Sequence, residues 1–348
     1  MKVDSTVVTG SAGDFVDAAV AAEKAGYDAV WFSETQHDPT VGLTLAATRT
    51  ERITLGTAIT VAFARTPLTA AMTANDLQEV SGGRYVLGLG TQIKPHITKR
   101  FSMPWSRPAD RMREYIQAVR AIWDTWNTGE PLRFVGEFYT HTLMTPFFSP
   151  PPHAYGTPPI HLAGVGPRMT ETAGEVADGF LAHAFTTERY LHEVTLPALH
   201  RGLEKAGRRG EDVEVSGTAL IATGRTEEEF AASVRDVRRQ VAFYGSTPAY
   251  APVLELHGWG DLAVELHRLS KQGAWEAMGD AVSDEVLHTV AVVAEPHEVG
   301  PALARRFDGV AQRVPFYAPT GAELDRWEPA QRYLQQESAP RRRVTGGS

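Results

Sequence analysis

The sequence predicts an α/β protein folded as a (β/α)8 TIM barrel with insertions after strands 4 and 7. Three observations predict it. Short apolar runs alternate with longer stretches of helical period along most of the chain. Eight runs of strand character occur, each usually followed by a helical pattern, and that number favours a closed barrel over an open doubly wound sheet. The 348 residues, 43 % of them hydrophobic, can bury a large core. The open sheet stays as the alternative, because short apolar strands do not by themselves reveal closure.

Met1–Val8 opens as a strand, and Asp14–Ala25 follows with Phe15, Ala18, Ala19 and Ala22 at helical spacing and Gly26 as its cap. Ala29–Phe32 is the second strand, and Leu43–Arg49 a short helix. Ile53–Thr60, rich in β-branched residues, is the third strand. Pro67 stands where a helix should start, and that helix runs to about Val80, where Ser81-Gly82-Gly83 stops it. Tyr85–Leu89 is the fourth strand, and Ala109–Trp126 a long amphipathic helix.

From Glu130 the rhythm breaks. Residues 130–158 carry aromatics and the run SPPPHAYGTPP without a helical period, an irregular insertion. Alternation resumes with Ile160–Ala163, a helix from Pro167, a strand near Phe180–Ala182 and a helix from Thr187. Val213–Ala222 is the seventh strand and Thr226–Tyr244 a helix, and 247–290 reads as further helices and turns. Pro296–Phe307 is helical, and Gly309–Tyr317 is the last strand. Residues 1–335 read as one barrel domain, and 336–348, with its PRRRVTGGS run, as a disordered tail.

Composition excludes several functions. Lys plus Arg is 34 against 42 Asp plus Glu, a net charge of −8 without a strongly basic domain, which argues against nucleic acid as a partner. The chain has no cysteine, so disulfides, thiolate zinc sites and cysteine nucleophiles are excluded. MKVDSTVVTGS lacks the apolar core of a signal peptide, and no run approaches the length of a membrane span. A soluble, cytoplasmic protein acting on a small molecule, with no membrane partner, is the expectation.

In a barrel, chemistry gathers where strands end, at the C-terminal face. Strand two ends in Ser33-Glu34-Thr35-Gln36-His37-Asp38, strand three near Ala58-Ile59-Thr60, and strand four in Gly88-Leu89-Gly90-Thr91-Gln92. Strand five ends in Ala163-Gly164-Val165-Gly166-Pro167, and strand six in His183. Polar and glycine-rich residues thus fall repeatedly on one end of the sheet.

The Gly164–Gly166 turn, with Pro167 opening a helix, suits an anion held by free amides; a tight turn with nothing bound is the other reading. Gly88–Gly90 has no helix at once behind it, and neither turn matches the dinucleotide fingerprint, since Met169 stands where its third glycine belongs. The loop Lys94–Arg113 carries six basic residues (Lys94, Lys99, Arg100, Arg107, Arg111, Arg113) against the single acid Asp110, with Trp105 and His96. It reads either as a basic lid over the mouth or as a solvated face running into a helix. His37 lies beside Glu34 and Asp38, but no HxH or HxxxH pattern supports a metal, and no GxSxG elbow supports a serine hydrolase.

Four stretches together resemble the luciferase-like family of barrel enzymes, over roughly residues 3–318: AEKAGYDAVWFSE, ERITLGTAI followed by RTP, LQEVSGGRYVLGLGT, and IHLAGVGPRMTETAGEVADGF. RFSMPWSRPADRMREY resembles the branch usually assigned to the deazaflavin coenzyme F420 rather than to FMN. The resemblance implies a cofactor ring on the barrel mouth with Glu34 near it, and a non-proline cis peptide at Ala58-Ile59 backing the ring. It also implies cofactor contacts from Thr60, Thr91, Gln92 and His96, and a phosphate held by the backbone of Ala163, Gly164, Val165 and Gly166. A homodimer is implied as well. The family's sugar-phosphate dehydrogenases carry Asp-His after strand two and a glutamate after the strand-four glycine, where this chain has Glu34-Thr35 and Ile93, so a sugar phosphate is not the expected substrate.

The resulting expectation is an F420-dependent oxidoreductase moving a hydride between the deazaflavin and a small organic substrate. Glu34, His37 and His96 are its candidate catalytic residues, with His183 a further candidate proton donor, and each histidine is also open to a packing role. Phe138, Tyr139 and Phe147 of the insertion are expected to line the substrate pocket or to pack. The alternatives are an FMN-dependent monooxygenase using reduced flavin and oxygen, and a barrel that binds cofactor without turnover.

Overall fold

The structure, a computed structural model, describes residues 1–318 and 324–337. The apolar runs become eight parallel strands: β1 (Lys2–Val7), β2 (Ala29–Phe32), β3 (Thr54–Thr57), β4 (Tyr85–Gly90), β5 (Ile160–Gly164), β6 (Gly179–Ala182), β7 (Glu214–Gly217) and β8 (Arg313–Ala318). β1 pairs with β2 and β8, and β3 pairs with β4, so the ring closes and the open-sheet alternative falls away. All four residues of β2 and all of β6 are buried, as expected where helices cover one face of each strand and the barrel interior the other.

Proline and short polar side chains punctuate the helices. Pro39, Pro67, Pro108, Pro167 and Pro296 each open one, at the position where a missing N–H costs nothing. Ser11 and Asp14 form a reciprocal capping box ahead of Ala12–Lys24. The second helix, expected at Leu43, starts at Pro39 with Asp38 as its cap, because Asp38 Oδ1 accepts from Thr40 N at 2.9 Å.

Other boundaries differ as well. β3 stops at Thr57, and Thr60–Val61 forms a separate short strand on β4. The run expected as one seventh strand breaks after Gly217, and Leu220–Ala222 leaves the barrel to pair with Ala291–Val293. Both halves are mostly buried and the run keeps strand character across Gly217-Thr218-Ala219, so periodicity did not reveal the break. The 130–158 insertion holds a hairpin, Phe134–Val135 against Thr140–His141. Glu114 fastens its turn by accepting from Phe138 N and Tyr139 N at 2.7 and 2.6 Å. Helix Leu324–Glu337 runs two residues into the expected tail; the rest of 336–348 lies outside the described residues.

Two apolar clusters lie outside the barrel lumen. One packs the barrel strands against their helices. The other, built on Phe185, Leu220, Val241, Leu266 and Leu287, is the private core of the helices inserted after β7. A third, smaller cluster of Ala29, Trp31, Val86 and Leu181 plugs the lumen. Below it, at the strands' N-terminal end, lies a buried ionic network. Asp4 accepts from the Trp31 indole at 2.8 Å and pairs with Arg313 at 3.1 Å, and Arg313 also reaches Glu214.

Candidate active site

The lumen plug makes a floor for the barrel mouth. Trp31, Val86 and Leu181 point into it from three strands, and Ala58, Ile59 and Ala163 lie against it half-buried. The Ala58–Ile59 peptide bond is cis, at the position where the resemblance placed it. Ser33 Oγ donates to Ala58 O at 2.8 Å, and Glu34 N to Ile59 O at 3.2 Å, so the end of β2 holds this backbone from one side.

β4 holds it from the other. A Cβ on Gly88 would stand 1.7 Å from Thr57 O, and one on Gly90 2.7 Å from Ile59 Cγ1. Thr57 Oγ1 donates to Gly88 O at 2.7 Å and accepts from Gly88 N at 3.0 Å. The Gly88–Gly90 pair therefore serves the close approach of β3 and β4, which needs no bound anion to explain it.

Glu34 is buried, at 8 % exposure, and its carboxylate is committed. It accepts from Val61 N at 2.8 Å and from Arg65 Nη1 at 2.8 and 3.0 Å, while Arg65 Nη2 donates to Asp38 at 2.6 Å. Arg65 thus ties the end of β2 to the segment after β3. Its guanidinium is held further toward the charged form: burial opposes this, and the Glu34 and Asp38 carboxylates outweigh it. This clamp is the feature that sequence reasoning missed. The arginine within VAFARTP and the Glu34–Asp38 cluster are both visible in the sequence, but pairing between distant segments has no local signature.

The basic segment after β4 splits into two groups. Arg107 pairs with Glu137, Arg113 with Glu175 and Asp110. Buried Arg111 donates to Tyr139 Oη and Pro104 O at 2.8 and 2.7 Å and lies over the Phe63 ring at 4.3 Å. Arg107 and Arg111 hold the hairpin insertion to the barrel, Arg113 ties its helix to Pro167–Val176, and none of the three forms a lid. Residues 96–100 instead wind as a helical turn over the β2 loop, where Arg100 Nη2 donates to Thr35 O. The same turn carries His96, exposed, with Nδ1 3.1 Å from Oε1 of Gln92. Gln92 adopts the left-handed conformation, φ 57°, which turns the chain out of β4, and Thr91 Oγ1 donates to its carbonyl. His37 is exposed on the β2 loop.

At the end of β5, Gly166 is the N-cap of helix Pro167–Val176, and no side chain caps it. Nothing lies within 4 Å of a Cβ built on Gly166, so protein packing does not account for a glycine there. Beside this turn a narrow cleft is lined by Gly164, Val165, Thr186, Tyr190 and His183. His183 Nδ1 accepts from Phe185 N at 3.0 Å, which leaves the ring proton on Nε2, 3.4 Å from Tyr250 Oη. Burial pushes His183 down to about 4, so the ring is neutral at physiological pH.

Of the three insertion aromatics, Tyr139 packs on Tyr115 with centroids 5.6 Å apart and Phe138 lies beneath Arg107. Phe147 is 88 % exposed, so it lines no pocket. The structure thus gathers Glu34, Ala58, Ile59, Thr60, Thr91, Gln92 and His96 on the adjoining ends of β2, β3 and β4, and Ala163, Gly164, Val165 and Gly166 on the next strand. Among the described residues no three of His, Asp and Glu are grouped so as to hold a metal ion, and no helix is long and apolar enough to cross a membrane.

The sequence model of the luciferase-like monooxygenase family matches residues 1–313. A Mycobacterium tuberculosis protein of uncharacterised function is 55 % identical over 298 residues, covering 86 % of this chain and 88 % of its own length. The 5,10-methylenetetrahydromethanopterin reductase of Archaeoglobus fulgidus is 29 % identical over 287 residues, 80 % of this chain and 81 % of that protein. Among solved structures, the coenzyme F420-dependent tetrahydromethanopterin reductase from Methanopyrus kandleri superposes with a TM-score of 0.77 at 21 % identity, covering 97 % of this chain and 98 % of that one.

Proposed function

The chain belongs to the luciferase-like monooxygenase family, whose members are oxidoreductases or monooxygenases using F420 or FMN, and on that premise we propose that it is an F420-dependent oxidoreductase. Its substrate is a small organic molecule that gives or takes a hydride. The observation that carries this reading is one juxtaposition. A flat, half-buried apolar floor at Ala58, Ile59 and Ala163 lies beside an uncapped helix start whose glycine has open space above it. β3 and β5 flank β4, so floor and helix start are two strand spacings apart, roughly 10 Å. Such a pair suits a planar ring joined to a phosphate. The names of curated relatives point the same way, since two of them state an F420-dependent activity.

When bound, the deazaflavin supplies or accepts the hydride. The chain's own residues do the rest. Ile59 and Ala58 support the ring from below, with Trp31 and Leu181 excluding water beneath them. Thr91 and Gln92 border the ring at the end of β4. The amides that open helix Pro167–Val176, with the Gly164–Gly166 backbone, hold the phosphate. Glu34, already engaged by Val61 and Arg65, positions the floor and is not free to move a proton. His96, oriented by Gln92, is the group proposed to hand a proton to or from the substrate, in preference to His37, which has no such partner among the described residues.

Gly166→Asp tests the phosphate site. Aspartate is a favoured N-cap and meets no neighbour there, so the unfolding midpoint should hold or rise. F420 affinity should fall more than about tenfold, as a carboxylate takes the anion's place. Unchanged affinity would sink this placement of the cofactor.

A further inference from the structure

A second cavity of about 590 Å³ lies between the helical start at 187–192, the strand Ala291–Val293 and the end of helix Pro296–Arg306. None of the residues gathered at the mouth lines it. Its polar wall carries Arg306, 8 % exposed, whose guanidinium donates to Thr186 O at 2.6 Å, Val290 O at 2.8 Å and Thr289 O at 3.4 Å. Those bonds use three of its five donors, and among the described residues Nε, itself closed off from solvent, has no partner. Among the described residues no carboxylate lies within ion-pair distance of Arg306 or of the exposed neighbour Arg305, which also lines the cavity.

The third arginine of the lining, Arg189, is neutralised by Glu193 at 2.9 Å. Glu188 is then the one lining carboxylate set against two unpaired guanidiniums, a surplus of positive charge (2 − 1). Burial pulls Arg306 down to about 10, with Glu188 opposing, as expected of a cation left without a close counter-charge. The opposite wall, Ala291, Val293 and Ala302, is apolar.

We propose that this cavity is a second ligand site, separate from the barrel mouth, for a small organic phosphate. The phosphate sits against Arg305 and the edge that Arg306 presents to the cavity, and the organic part lies on the Ala291–Ala302 wall. A buried unpaired guanidinium is costly unless an anion completes it, and arginine's fork suits phosphate oxygens. The volume falls in the range of small-molecule pockets and far exceeds what bare phosphate fills.

Calorimetric titration with phenyl phosphate at constant ionic strength tests this, with phenol as the neutral control. Saturable binding of phenyl phosphate and none of phenol is expected. Arg305→Ala should weaken binding roughly two- to five-fold and Glu188→Gln should tighten it by a similar factor, as fits single partly solvated charges. Arg306→Gln should abolish binding; if that variant fails to fold, the opposite responses of the other two variants still decide the matter. Gly166→Asp, which blocks the proposed cofactor phosphate site, should leave phenyl phosphate binding unchanged, so the two readings fail separately. Absence of saturation, indifference to both Arg305→Ala and Glu188→Gln, or loss of binding in Gly166→Asp would each overturn the proposal.

Discussion

Removing the Arg65 guanidinium should loosen the mouth of the barrel more than any surface ion pair would suggest. In Arg65→Met, Glu34 stays 8 % exposed but keeps only the Val61 amide as a partner. Breaking a buried pair by deleting one member costs about 3–5 kcal/mol. The Arg65 side chain is 21 % exposed and that of Asp38 51 %, so water can reach part of the vacated region, and about 2–3 kcal/mol is the better figure. For a chain of this size that is a fall in midpoint of roughly 4–10 °C. Glu34→Gln alone should cost about 1–2 kcal/mol. The double variant should lose less than the sum by about 1–2 kcal/mol, because each single change strands a charge that the other removes. Urea unfolding of the four proteins measures the cycle. A coupling below roughly 0.5 kcal/mol would refute the idea that this pair clamps β2 to the segment after β3.

Three further outcomes follow from local geometry. Gly88→Ala places a methyl 1.7 Å from Thr57 O and should cost about 3 kcal/mol or prevent folding, seen as lost soluble yield; a variant within about 1 kcal/mol of the parent contradicts the packing reading. Burial lifts Asp4 to about 7 despite Arg313, so the folded chain keeps a proton that the unfolded chain loses, and this group's contribution to stability falls as pH rises from about 4 to 7. Asp4→Asn should therefore gain on the parent across that window in urea midpoints, and a pH-independent difference would contradict it; His161, pushed down to about 4 mainly by burial, works in the opposite direction in both proteins and cancels from the comparison. Phe147→Ser should leave both unfolding midpoint and cofactor affinity unchanged, since the ring is 88 % exposed; a marked loss of affinity would restore its expected role as pocket lining.

The barrel was legible because its signals are local. A buried parallel strand reads as a short apolar run, and proline at the first helical position marks a start, as at Pro67 and Pro167. The Asp38-Pro39 start carries the same signal, but its aspartate falls within the polar cluster that ends β2, where a helix cap and a mouth residue look alike. What stayed hidden depends on contacts between distant segments. The second half of the seventh run is claimed by Ala291–Val293, seventy residues on, and the local sign of the break is Gly217 alone. The committed state of Glu34 depends on Arg65, and the structural use of Arg111 depends on Tyr139 in the insertion. Asp4 inside an apolar strand was a visible anomaly, and only Arg313 at the far end of the chain explains it.

Direct titration of the purified protein with F420 and with FMN, each oxidised and reduced, followed by fluorescence, tests the central claim. Saturation by F420 in the micromolar range, with FMN at least tenfold weaker and no oxygen consumed when reduced cofactor and protein are mixed, is the result this account predicts. Preferential binding of reduced FMN with oxygen uptake would contradict it and make the chain a monooxygenase.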